Sequence, residues 1–207
     1  MCVVSESSES HWEQVYRGRA TDELNWFQVS PTTSVRLVES AVEGRGSVLD
    51  VGAGPSSLVD VLQAESFENL TVLDVSGTAL DSVRRRLAER GQHVNLIQVD
   101  LLEWKPVRTF DVWHDRAVFH FLNRPDQRSR HVQTAAAAVR PAGSLIVARF
   151  ASDGPTHCSG LPVSRYDVAE LTAAFESSFD LVHSEREEHR TPAGVIQPFP
   201  WVVLRRQ

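Results

Sequence analysis

The sequence predicts an α/β fold, a mostly parallel sheet with helices on both faces, and three observations predict it. Short apolar runs recur between stretches of helical period, at residues 48–51, 70–73, 94–99, 110–114 and 144–150. Strands apolar on both faces belong to a parallel sheet enclosed by two helical layers. The first run leads through a glycine turn, Gly52-Ala53-Gly54, into a helix, and the first three runs finish at the acids Asp50, Asp74 and Asp100.

In chain order, residues 1–10 read as a polar, frayed tail. Residues 11–19 carry Trp12, Val15 and Tyr16 at i, i+3 and i+4, the spacing of a short amphipathic helix. Ser30-Pro31 reads as the cap and first position of a second helix, with Val35, Leu37, Val38, Ala41 and Val42 behind it as far as Gly44. Strand 48–51 follows, then a helix from Ser56 or Ser57 to Glu65, then strand 70–73. The next helix opens at Ser76, runs through Leu80, Val83 and Leu87 and stops at Gly91, so that strand 94–99 completes β-α-β-α-β. Strand 110–114, a helix over 126–140, the turn Pro141-Ala142-Gly143 and strand 144–150 extend the sheet. Beyond residue 151 the texture changes. Gly154-Pro155 and Gly160-Leu161-Pro162 punctuate a loop, residues 164–175 read as helix, and runs at 179–185 and 195–204 read as an antiparallel pair closing the sheet.

A chain of 207 residues suits one large domain. With 42% hydrophobic and 23% charged residues, collagen, coiled coil and wholesale disorder are excluded. A net charge of −6 argues against a surface that neutralises phosphates, so no nucleic-acid partner is expected. The serine-rich start lacks the apolar core of a signal peptide, and no run approaches about 18 apolar residues. The expectation is a soluble cytoplasmic protein with no membrane partner. Cys2 and Cys158 make no disulfide framework, and without CxxC spacing no metal site is expected.

Glycines at a strand-to-helix turn let a ligand approach the backbone closely. Asp74 lies 22 residues beyond Gly52, at the end of the second strand, where a carboxylate can accept both hydroxyls of a ribose. Any one of the three acids is by itself an ordinary turn former. Together, in register with the glycine turn, they point to a nucleoside site. A nicotinamide cofactor competes, but Gly52-Ala53-Gly54-Pro55-Ser56-Ser57 lacks the last glycine of GxGxxG, and Asp50 is unwelcome beside a pyrophosphate. That acid suits a ligand carrying an ammonium group. His157-Cys158 reads as ordinary loop, Arg84-Arg85-Arg86 as a solvated helix face, and residues 187–190 as exposed hairpin.

VLDVGAGPSSL (48–58), LTVLDVS (70–76) and VDLLEW (99–104) resemble the class I S-adenosylmethionine-dependent methyltransferases, and the likeness extends over nearly the whole chain. The resemblance implies a Rossmann-like, seven-stranded, mostly parallel sheet with an antiparallel C-terminal hairpin and an N-terminal helical lid. It implies one domain over 1–207, with lid and first helix at 1–44, cofactor-binding core at 45–151, and substrate loop and hairpin at 152–207. S-adenosylmethionine would lie with its methionine part over Asp50, Gly52, Ala53 and Gly54, its ribose on Asp74 with Val75 and Ser76, and its adenine beside Asp100, Leu101 and Leu102. Ser56 stands where many members have a third glycine.

A narrower likeness lies in residues 110–117, FDVWHDRA, which is similar to the fourth-strand segment of thiopurine methyltransferases and related small-molecule enzymes. HWEQVY (11–16) and Trp26-Phe27-Gln28 are similar to their aromatic N-terminal cap, and protein-lysine methyltransferases, including the one acting on citrate synthase, carry a cap of this kind. Trp12, Tyr16, Trp26, Gln28, His114 and Arg116 are accordingly expected at the cofactor. Arg116, Asp115 and His120 are expected at the reaction, Arg116 to hold a carboxylate and His120 to take a proton; the alternative for His120 is a core histidine. The acceptor is expected to be a small thiol, chalcogen or amine. The alternatives are a protein lysine and a cofactor-binding protein without catalysis.

Overall fold

The computed structural model describes residues 8–42, 44–91 and 94–207. Cys2 and most of the predicted tail lie outside the described residues. The elements are α1 (Ser8–Gly18), α2 (Thr32–Ala41), β1 (Val48–Val51), α3 (Leu58–Ala64), β2 (Leu70–Asp74), α4 (Gly77–Ala88), β3 (Asn95–Gln98), β4 (Phe110–Arg116), α5 (Pro125–Ala138), β5 (Val139–Ala148), the short pair β6 (His157–Cys158) and β7 (Leu161–Pro162), α6 (Val168–Ala173), β8 (Phe179–Arg190) and β9 (Ile196–Arg206).

Seven strands form one Rossmann-like sheet in the order β3-β2-β1-β4-β5-β9-β8. β1 to β5 run parallel, and β9 pairs antiparallel with β5 and with β8. Alternation along each strand sends residues to opposite faces. Val48, Val72, Val112 and Ile146 pack on the side of α2, α3 and α4, while Leu49, Val51, Leu73, Trp113 and Leu145 pack on the side of α5 and α6. Both faces of the central strands are therefore dry, as their unbroken apolar runs require.

The chain leaves β1 toward β2 on one side and β4 toward β5 on the other. Between these neighbours the connections diverge, which opens a crevice at the carboxyl ends of the strands. Asp50 and His114 stand side by side in the β1–β4 register at that crevice.

Several boundaries differ from the sequence reading for identifiable reasons. Pro31 occupies the cap position of α2 and Ser30 makes no cap, so the helix opens at Thr32. The helix expected over 164–175 shortens to α6 because Asp167 and Glu170 form a capping box there. Residues 164–166 instead run against the turn after β4 and the end of β5: Ser164 N–H donates to the His120 carbonyl and Tyr166 N–H to that of Phe150. Strands β8 and β9 extend to Arg190 and Arg206, so residues 187–190 are ladder rather than loose hairpin. His189 is buried, with Nε2 2.8 Å from the Asn25 carbonyl.

Candidate active site

The floor of the crevice is the turn after β1. Gly52 and Gly54 both hold φ of 56°, in the left-handed region. A Cβ on Gly52 would come within 2.1 Å of Val118 Cγ2, and one on Gly54 within 2.6 Å of the Tyr16 hydroxyl. The turn is braced from behind by Arg86, which donates to the Pro55 and Ser56 carbonyls and to both oxygens of Asp60. One member of the arginine run expected on a solvated face is therefore a structural clamp.

Asp74 is fixed by backbone. Its Oδ2 accepts from Gly54 N–H at 2.7 Å and its Oδ1 from Ser76 N–H at 2.8 Å. A carboxylate offers about four lone-pair sites, so each oxygen keeps capacity for a further donor. Burial raises the Asp74 pKa to about 6, against the lowering effect of those two bonds. At the end of β3, Asp100 accepts from Leu102 N–H at 2.8 Å. Asp74, Val75, Asp100, Leu101 and Leu102 all line one cavity of about 530 Å3, within the range of cofactor sites. Gly54 and Ser76 do not line it; they hold Asp74 in place.

The far wall is β4 and the turn after it. His114 Nδ1 lies 2.7 Å from Asp50 Oδ1 and Nε2 lies 3.0 Å from Ser34 Oγ, with all three residues buried at the cavity wall. Arg116 donates through Nη1 to the Trp26 carbonyl at 3.1 Å and stacks on Phe199 at 4.8 Å. Its Nε and Nη2 are buried without a protein partner, and that burial lowers its pKa. Cys158 also lines the cavity, its thiol pushed up to about 11 by burial, so it stays a neutral wall residue.

Two residues expected at the reaction stand elsewhere. Asp115 points to the other face of the sheet, where it accepts from Val118 N–H, Phe119 N–H and His131 Nε2, and it is fully buried. It shapes the turn and anchors α5. The His120 ring packs between Phe121 and Phe150 and does not line the cavity. Burial first, then the positive charges of Arg149 and Arg116, push its pKa down to about 3, so it remains neutral. The structure corrects both expectations for the same reason: alternate strand positions and a tight 3-10 turn direct these side chains into the core.

The roof is aromatic. Trp12, Tyr16, Trp26 and Phe121 line the cavity and pack on one another, with Trp12 5.1 Å from Phe121 and 5.8 Å from Tyr16 between ring centres. Gln28, also at the wall, donates to Glu187 on β8. Helix α1 is tied down at the start of α4: Glu13 accepts from Ser76 Oγ, Thr78 N–H and Thr78 Oγ1, and its pKa falls to about 2, chiefly through the Thr78 hydroxyl. Sequence reasoning missed Ser34, Glu13 and Arg86, whose partners lie far away in the chain and follow no spacing rule. No group of three or more metal-ligating side chains is assembled among the described residues.

Residues 48–143 match the family described as a methyltransferase domain. EEF1A lysine methyltransferase 2 of Danio rerio is 26% identical over 166 residues, covering 76% of this chain and 65% of that protein. The eEF1A lysine and N-terminal methyltransferase of Danio rerio is 29% identical over 94 residues, 45% of this chain and 14% of that protein. The chain thus spans less than two thirds of the length of these relatives. Among solved structures, one described by the conversion of a disulfide bond into a thioacetal group during echinomycin biosynthesis superposes with a TM-score of 0.78 at 19% identity, covering 96% of this chain and 92% of that one. The N-methyltransferase NodS from Bradyrhizobium japonicum WM9, in complex with S-adenosyl-L-homocysteine, superposes with a TM-score of 0.72 at 15% identity, covering 95% and 98%.

The matched stretch, residues 48–143, contains the glycine turn, Asp74, Asp100 and β4 of the crevice, and S-adenosylmethionine is the cofactor that the sequence resemblance implies for it. The residues present fit that cofactor. Asp74 has acceptor capacity left for two vicinal hydroxyls, the glycines add no side chain of their own at the turn, and the cavity carries acids at one side and, at the other, a guanidinium with two of its nitrogens unpartnered.

Proposed function

We propose that the chain, acting as one domain in the cytoplasm, transfers the methyl group of S-adenosylmethionine to a small-molecule nucleophile, a thiol, chalcogen or amine. The bound cofactor supplies a methyl group on a sulfonium, open to in-line displacement. Asp74 and its backbone braces would hold the ribose, Asp100 and Leu101 the adenine, and the Gly52 turn the methionine end. Arg116 would meet a carboxylate with the donors it leaves unpaired. The roof of Trp12, Tyr16 and Trp26 would exclude water and align the acceptor, the two effects from which such a displacement gains most.

The observation that carries this reading is the roof. It confines the strand-end crevice to about 530 Å3 beneath packed aromatic rings, a space that favours a compact acceptor. A second reading, methylation of a protein lysine, is favoured by the two Danio rerio relatives. No helix among the described residues is long and apolar enough to cross a membrane. Purified protein with methyl-labelled S-adenosylmethionine, offered thiols, selenide, amines and whole-cell protein extract in parallel, tests both. Label in small products alone supports the first reading, and label in protein alone replaces it with the second. Cofactor binding without turnover on any acceptor overturns both in favour of a non-catalytic binding protein.

A further inference from the structure

The chain Asp50–His114–Ser34 links three elements, β1, β4 and α2, at the cavity wall. Asp50 and His114 are residues expected at the cofactor from sequence, and Ser34 is not. Each member is buried, with Ser34 at 1%, Asp50 at 3% and His114 at 3% relative exposure, yet all three border the cavity. The order of donors follows from the chemistry of the partners. An ionised Asp50 can only accept, so His114 carries its proton on Nδ1. Nε2 is then a lone pair, the Ser34 hydroxyl donates to it, and the remaining lone pairs of Ser34 Oγ are free to accept. The imidazole is held by the two bonds, with the Trp201 ring tilted against it 5.9 Å away between ring centres.

We infer that Ser34, His114 and Asp50 form a proton relay that deprotonates the methyl acceptor, and that the acceptor is therefore a protic nucleophile such as an amine, not a thiol or selenide that is ionised beforehand. This rests on the proposed methyl transfer. In the step, the acceptor's lone pair forms a bond to the methyl carbon while the carbon–sulfur bond breaks and leaves its electron pair on sulfur. The acceptor's proton passes to Ser34 Oγ, and the serine's own proton passes to His114 Nε2. The products are the methylated acceptor, the neutral thioether and an imidazolium paired with Asp50, which afterwards returns its proton to solvent. A base of this kind contributes roughly 10²–10⁴-fold. His120, the base expected from sequence, cannot take the part because its ring does not reach the cavity.

The charged and titratable groups facing the relay are Asp50 on β1, Asp74 on β2, Arg116 on β4 and, through the Trp201 indole on β9, Glu187 on β8. Two measurements decide. Histidine-selective nitrogen NMR of the full chain near neutral pH is expected to show His114 protonated on Nδ1 and bare on Nε2; protonation on Nε2 alone overturns the relay, because Ser34 then has nowhere to pass its proton. Turnover is measured with an aromatic amine that stays uncharged over about pH 6 to 9, so that any pH limb belongs to the enzyme. Ser34→Ala and His114→Gln are expected to lower kcat about 100-fold and to flatten the rise of kcat with pH, with the affinity for S-adenosylhomocysteine by calorimetry changed less than about threefold for Ser34→Ala. Unchanged kcat and pH profile in both variants overturns the relay with the methyltransferase reading intact, as does turnover of thiols or selenide with none of any amine. Absence of S-adenosylhomocysteine binding by the wild-type chain is a failure of the underlying reading instead.

Discussion

The two halves of the crevice are built on opposite plans. At the β1–β2–β3 edge the polar groups are satisfied within the fold: Asp74 by two backbone N–H groups, Asp100 by Leu102 N–H, and the turn carbonyls by Arg86. At the β4–β5 edge His114 and Asp115 are partnered, but three other side chains bury polar atoms without partners. Arg116 leaves two nitrogens free, His120 both ring nitrogens, and Arg149, fully buried at the end of β5, all three, with its guanidinium lying over the Tyr166 ring at 3.4 Å and the Phe119 ring at 4.2 Å. Burial lowers the Arg149 pKa to about 9. An unpaired buried donor costs about 1–3 kcal/mol. The first half is complete as folded, whereas the second keeps unpaired donors, of which those of Arg116 border the cavity and those of His120 and Arg149 are turned into the core.

The largest effect that tests this contrast is on the finished half. Asp74→Ala removes the acceptor for two hydroxyls and releases Gly54 and Ser76, so S-adenosylhomocysteine affinity by calorimetry is expected to fall about 10- to 100-fold, or ~1–3 kcal/mol. An unchanged affinity would break the comparison at its base. The same carboxyl gives a pH signature. With its pKa raised to about 6 by burial, Asp74 is neutral below that value and then accepts fewer hydrogen bonds; cofactor affinity is expected to rise as pH increases through about 6 and to level off above it. The linkage to stability has the opposite sign: the ligand-free fold gains from this group below the ordinary Asp pKa of 3.8 and loses that gain as pH rises through about 6.

A smaller effect concerns the roof. Glu13→Gln weakens the tie between α1 and α4 by about 1 kcal/mol, as loss of a helix cap does, and hydrogen exchange in residues 8–28 is expected to quicken while the central strands stay protected. Because the Glu13 pKa is lowered to about 2, the tie is at full strength above the ordinary value of 4.5 and is lost as pH falls from there toward 2. Equal exchange in the variant and wild type would make α1 a fixed wall held by its aromatic rings alone. The smallest effect is expected at His120. His120→Phe keeps a ring between Phe121 and Phe150, so turnover per folded molecule should change far less than the roughly 10²-fold that loss of a general base brings.

What was legible in the sequence follows the same division. Asp50, Gly52 and Asp74 stand at strand ends and at a glycine turn, features that are local in the chain, so their pattern is readable from spacing. The links that finish the site are long-range: Ser34 to His114 spans 80 residues, Glu13 to Ser76 spans 63, and Arg86 to Pro55 spans 31. Nothing in periodicity encodes such pairings. Asp115 and His120 were placed at the reaction because they neighbour Arg116 in sequence, but neighbours on a strand face opposite ways and the positive φ of Ala117 turns the chain before His120. Adjacency in the chain is a poor guide across the turn at Ala117.

The close approach of Tyr16 to Gly54 turns a single backbone position into a wedge point. Alanine at 54 would set a methyl group 2.6 Å from the Tyr16 hydroxyl and strain a left-handed residue as well, so the tyrosine ring must shift within the roof. Gly54 also braces Asp74 through its N–H, so one backbone position couples the aromatic roof to the acid at the end of β2.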